Sequence, residues 1–208
     1  MNEFIKGGIV GGSTMIIGYP LDTIKTNKQN NRVFRYTIKN LYKGMSYPLG
    51  FSMLFNSSLF SIHNYIYNKT ENHFTSGFIA GSICSPILNT VELYKVNKQL
   101  YKTTNFKKPF LGIMSTMSRE SIASSFYFGV YFYMMDKQYH PALSGGIAGI
   151  SSWLTTYPID TIKTRIQSKE YISYMEAIRK GYLFNGLSYC LARAFIVNSA
   201  GFYIYHSL

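Results

Sequence analysis

Three carboxylates, Asp22, Glu92 and Asp160, each stand three residues before a lysine (Lys25, Lys95, Lys163) and seven before a glutamine (Gln29, Gln99, Gln167). An acid and a base three apart share a helix face, and the simplest outcome is an ordinary surface pair on each helix. Recurrence three times argues for a different use. Acid and lysine on one such turn can reach neighbouring helices rather than each other. Where such pairs must open, a ligand opens them only through its differential affinity for the two states.

A second set of charges suits recognition. Phe51, Arg119 and Arg193 each stand seven residues after a glycine (Gly44, Gly112, Gly186). Seven residues of helix rise about 10 Å. Arg119 is followed by Glu120, so a cation can meet the carboxylate while an arginine forks onto a carboxylate of the same molecule. That chemistry fits a small zwitterion. Nothing converges as an enzyme's acid, base or nucleophile would. His63, His73, His140 and His206 lack the spacing of a metal site, so neither metal nor cofactor is expected. Cys84 and Cys190 read as small packing residues, and Trp153 as a packing residue on the fifth long helix.

The elements that position these groups follow from where charge is missing. The chain has 208 residues, 14% of them charged against about a quarter in soluble proteins, and a net charge of +12. Uncharged blocks run 7–21, 44–68, 72–91, 121–135, 138–159 and 194–208. A helix needs roughly 20 residues to cross a bilayer, and these blocks are rich in Gly, Ser, Tyr and Phe, as where helices pack closely around a wet interior. Sixteen of the 21 basic residues fall after the first, third and fifth blocks. If the blocks span a membrane, all three clusters lie on one side. A nucleic-acid protein has no reason for that spacing. The Met1–Lys6 segment shows no cleavable signal.

The chain is also a repeat. Residues 18–29 read GYPLDTIKTNKQ, 156–167 read TYPIDTIKTRIQ, and 88–99 read LNTVELYKVNKQ. Fifteen residues before each acid a G-x-x-x-G opens at Gly7, Gly77 or Gly145, and sixteen after Gly44, Gly112 and Gly186 come Phe60, Phe128 and Phe202. The units run 1–68, 69–138 and 139–208. Each holds two helices, expected at about 5–24 and 45–67, 73–94 and 112–134, and 141–162 and 186–206. The expected fold is an all-α membrane protein of six transmembrane helices with pseudo-threefold symmetry.

The tripled Pro-x-Asp-x-x-Lys pattern resembles the mitochondrial carrier family over nearly the whole chain. The resemblance implies a barrel around a central cavity in the mitochondrial inner membrane, with short matrix-side helices and both termini toward the intermembrane space. Asp22, Lys25, Glu92, Lys95, Asp160 and Lys163 would form the matrix gate, Gln29, Gln99 and Gln167 its brace, and Pro20 and Pro158 the helix kinks. The R-E-S-I-A-S-S-F-Y-F and R-A-F-I-V-N-S-A-G-F stretches resemble the amino-acid and carnitine branch. There Arg119, Glu120 and Arg193 would bind substrate, with Ser52, Phe55 and Asn56 as the first contact region. The implied activity is transport of an amino acid or carnitine-type metabolite by alternating access and exchange, not an enzymatic reaction. Nucleotide or deoxynucleotide transport, and a non-transporting membrane scaffold, are the alternatives. The partners expected are a small-molecule substrate and a lipid bilayer, with cardiolipin a candidate lipid, and no nucleic acid; the expected state is a monomer.

The chain departs from the family pattern in several places. Thr90 replaces the second proline, with Pro86 one turn earlier. Four residues after each landmark Phe stand Asn64, Phe132 and His206, none an acid, and Asp136 with Lys137 cannot make a three-way ring, so the cytosolic salt-bridge network is expected to be weak. The Phe51–Asn56 region carries no acid, which argues against ornithine or lysine. From acid to landmark Gly there are 22, 20 and 26 residues, so the matrix-side loops are cut back, least in the third unit around Tyr171 to Lys180. The Asn-, Lys-, Tyr- and Ile-rich wording suggests an A+T-rich gene, of viral or parasite type.

Overall fold

The structure, a computed structural model, describes residues 2–29, 37–42, 45–99, 113–167, 174–179, 181, 183–184 and 187–208. Within these, the side chains of 22–29, 39–40, 46–47, 90–99, 163–167, 174, 177 and 189 lie outside the described residues. The landmarks Gly44, Gly112 and Gly186 also lie outside them.

Among the described residues the secondary structure is helical. Six long helices, α1 (Glu3–Gln29), α3 (Ser46–Thr70), α4 (His73–Gln99), α5 (Ile113–Asp136), α6 (Pro141–Gln167) and α8 (Leu187–Ser207), are joined by two short ones, α2 (Ile38–Leu41) and α7 (Tyr174–Arg179). Pro20, Pro86 and Pro158 lie inside α1, α4 and α6, where each removes one helical N–H donor. The tight connection from α3 to α4 follows from local chemistry. Glu71 takes the left-handed conformation at φ 52°, its N–H donating to the Tyr67 carbonyl. Asn72 then accepts from the Phe74 N–H at 2.9 Å, capping α4.

Each long helix packs against two others: α1 against α3, α3 against α4, α4 against α5, α5 against α6, α6 against α8, and α8 back against α1. The six therefore close into a ring. Within each unit the glycines bring the two backbones together. A Cβ on Gly7 would stand 2.6 Å from the Asn56 carbonyl oxygen, and one on Gly145 2.6 Å from that of Asn198. At Gly77 the obstacle is the Ser124 carbonyl. The repeated G-x-x-x-G is thus used inside the ring, at α1–α3, α4–α5 and α6–α8 alike.

Hydroxyls and amides reinforce these contacts. Ser52 Oγ donates to the Gly11 carbonyl at 2.9 Å, Ser82 and Ser121 hydroxyls meet at 2.6 Å, and Thr116 donates to the Asn89 side chain at 2.7 Å. Many of the most buried side chains are small and polar, Ser76, Ser85, Asn89, Thr116, Ser144 and Thr156 among them, while large apolar ones face outward. Ile16, Leu54, Ile83, Met117, Leu154 and Ile196, one from each long helix, are 40 to 64% exposed. No helix among the described residues is long and apolar enough to cross a membrane by its hydropathy. The polar inner faces are the reason: they dilute helices whose outer faces are apolar.

The end of the ring that carries both termini is filled by rings of another kind. Phe60, Phe128 and Phe202, in equivalent positions of the three units, come together there. Phe60 meets Phe128 edge-on at 5.1 Å and Phe202 at 6.3 Å, and all three are at most 2% exposed. Tyr131 stacks on Phe202 at 3.6 Å, and the Tyr205 hydroxyl donates to Glu3 at 2.9 Å, tying α8 to α1. Beside them His63 stacks on Phe128 at 3.9 Å, and His73 lies between Tyr67 at 3.8 Å and Phe132 at 3.9 Å. The two imidazoles face each other with Nδ1 of His73 3.4 Å from Nε2 of His63. Asn64 and His206 are exposed, and Phe132 belongs to this aromatic stack.

Candidate functional site

Helix α5 places Arg119 and Glu120 side by side, both largely withdrawn from solvent. The guanidinium pairs with the Glu120 carboxylate and, through Nη1, with Oδ1 of Asp160 on α6 at 3.3 Å. Arg119 is thus a cation held between two carboxylates from adjacent helices of different units. The position of Glu120 is set by its backbone: Gly81 of α4 packs directly on its carbonyl, where no side chain would fit.

Arg193 of α8 reaches toward α1. A Cβ on Gly18 would lie 3.2 Å from its Nη2 and 3.3 Å from Val197. Gly18, on the turn before Pro20, therefore leaves room for the guanidinium. Nothing in its sequence position singled it out, since Leu88 and Thr156 stand at the equivalent places.

The first contact region is arranged differently from a row of groups facing a ligand. Ser52 bonds to the α1 backbone. The Asn56 amide donates to the Ser52 carbonyl at 2.8 Å and packs against Gly11. Phe55 leans on the buried core and stacks with Phe51 at 5.9 Å. Ser52 and Asn56 sit where α1 meets α3.

Of the six charges expected in the gate, Asp160 is described, half-buried and paired with Arg119. The side chains of Asp22, Lys25, Glu92, Lys95 and Lys163, and of Gln29, Gln99 and Gln167, lie outside the described residues, although their backbones are helical through the last turns of α1, α4 and α6. The contact of Asp160 with Arg119 was not visible in the sequence. Among the described residues no group of three or more His, Cys, Asp or Glu side chains is placed to hold a metal ion.

A ring of six helices built from three like pairs, with buried charge on its inner faces, has the form of a solute carrier. The mitochondrial carrier protein family matches residues 136–208, the third unit. Relatives aligned over nearly the whole chain are similar to the first two units as well. The mitochondrial arginine transporter of Arabidopsis thaliana is 28% identical, covering 98% of this chain and 88% of that protein. The human mitochondrial basic amino acids transporter is 27% identical over 96% and 87%. Mouse solute carrier family 25 member 45 is 26% identical over 100% and 98%. The chain is thus similar to the mitochondrial carrier family, and the relatives it resembles include amino-acid transporters. The alignment with the Arabidopsis protein runs over 263 positions, more than the 208 residues available here, so the relative holds extra residues within the aligned span.

Proposed function

We propose that the chain carries an amino acid across the mitochondrial inner membrane by alternating access, through exchange, with its termini toward the intermembrane space. The observation that carries this reading is the buried Arg119–Glu120 pair, extended to Asp160 across the α5–α6 contact. An ion pair with exchangeable partners offers an ammonium group a carboxylate and a carboxylate group a guanidinium. Arg193, across the ring on α8, supplies a second guanidinium for the substrate carboxylate. The apolar outer faces support a bilayer setting, since contiguous exposed apolar surface marks contact with a partner or a membrane.

Arginine and other basic amino acids are the first candidates, because the relatives named above carry that description. The missing acid near Phe51 argues the other way, so neutral amino acids stand beside them as candidates. The charge ring of Asp22, Lys25, Glu92, Lys95, Asp160 and Lys163 serves as the matrix-side gate, braced by the three glutamines.

The test is uptake into proteoliposomes preloaded with the same compound. A panel of basic amino acids, neutral amino acids and carnitine should show exchange for at least one member. Uptake of deoxynucleotides without any amino acid would overturn the substrate assignment, and inactivity across the whole panel would overturn transport itself.

A further inference from the structure

The position of Arg119 poses a problem for a substrate that needs it. Its guanidinium already satisfies two carboxylates, that of Glu120 on its own helix and that of Asp160 on α6. Asp160 is at once a member of the repeated acid–lysine motif and a neighbour of the substrate pair. Because α5 closes the second unit and α6 opens the third, the Arg119–Asp160 contact also ties two units together.

We propose that Arg119 acts as a latch: unloaded, it holds Asp160 and so joins α5 to α6, and a substrate carboxylate draws it away and releases that tie. This rests on the amino-acid reading of the site. The substrate carboxylate and the Asp160 carboxylate are alternatives for the same Nη1 donor, so binding and the tie oppose each other. Asp160 is then a positioning residue. It keeps Arg119 aimed and lowers resting affinity, and its release is how loading is felt by the helices. Half-exposed ion pairs contribute modestly and buried ones more, so the competition is worth a moderate factor in affinity. Glu120 stays with the arginine or turns to the substrate ammonium; in either case the Arg119–Asp160 contact is given up.

The sign of one mutant decides the matter. The detergent-solubilised full chain is titrated with arginine, lysine and a neutral amino acid, and its thermal midpoint followed. Asp160→Asn removes the competing charge and should bind the amino acid that stabilises wild type about three- to tenfold more tightly. Its exchange rate in proteoliposomes should fall, because loading no longer releases anything. Unchanged affinity would overturn the latch. Weaker binding would overturn it too, since Asp160 would then hold the substrate's cation. Should Asp160→Asn fail to fold, Asp160→Ser carries the same comparison.

If no amino acid stabilises the wild-type chain, the substrate reading fails while the tie remains testable. The midpoints of Arg119→Gln, Asp160→Asn and the double variant, without ligand, should then be non-additive, the double no less stable than the weaker single. Additive losses would overturn the contact.

Discussion

At the level of single residues, the proposed site rests on guanidinium groups given room by their neighbours. On the proposed reading Arg193→Ala removes a charge-assisted fork to the substrate carboxylate, an interaction of about 1.5–3 kcal/mol. Amino-acid exchange should drop by roughly ten- to a hundredfold, with the folded ring intact by thermal midpoint. Gly18→Ala acts more gently: its new methyl would stand 3.2 Å from the guanidinium, so Arg193 shifts by a fraction of an ångström. Apparent KM should rise severalfold while stability stays near wild type; a variant with normal KM would show that Arg193 binds nothing. These arginines were legible in the sequence because they fall at equivalent positions of like units. Gly18 was not, because its use depends on a side chain arriving from the other end of the chain.

At the level of helices, packing rests on the bare backbones of the glycine pairs. Gly77→Leu would drive a side chain into the Ser124 backbone and should lower stability by about 1–3 kcal/mol, several degrees at this length. Gly50→Ala on α3 is the control. Its Cβ would meet nothing within 4 Å, and the exchange should stabilise by about 0.5–1 kcal/mol through helix propensity. Thermal midpoints of both variants check the contrast. The G-x-x-x-G spacing was readable as a packing face, as were the six long helices from the recurring motif and uncharged blocks. The azimuth of each even helix was not. Spacing tells which residues share a face, but not which way that face turns within the ring. For that reason Ser52 and Asn56, expected to meet substrate, are found between α1 and α3, and Asp160 reaches Arg119.

For the whole molecule, the two ends of the ring differ in kind. In sequence the basic residues cluster after the uncharged blocks of α1, α4 and α6; aromatic side chains fill the end that carries the termini. The landmark phenylalanines were visible as a recurrence, but their meeting at one point follows only from ring closure. Closure at this end by aromatic contact should be less sensitive to salt than an ionic network, since screening acts on charge. Tyr205→Ala removes a ring packed on Phe60 at 5.1 Å and the hydrogen bond to Glu3, a loss of about 3–5 kcal/mol if the site cannot collapse. Tyr203→Ala, two residues earlier and more than half exposed, should be near neutral. A comparison of midpoints, repeated at low and high salt, tests both statements.

The seam between α8 and α1 also has a consequence for biosynthesis. Helices α1 and α8 are partners, so the circle is completed only once α8 has been made. Until then α1 and α6 each lack a neighbour, and inner faces rich in serine and threonine stand open to lipid or water. The nascent protein is therefore a five-sided, unfinished vessel that has to be shielded. A stop codon anywhere in α8 would yield such a vessel permanently, and its rapid degradation in pulse–chase, rather than a partly active carrier, is the expected fate.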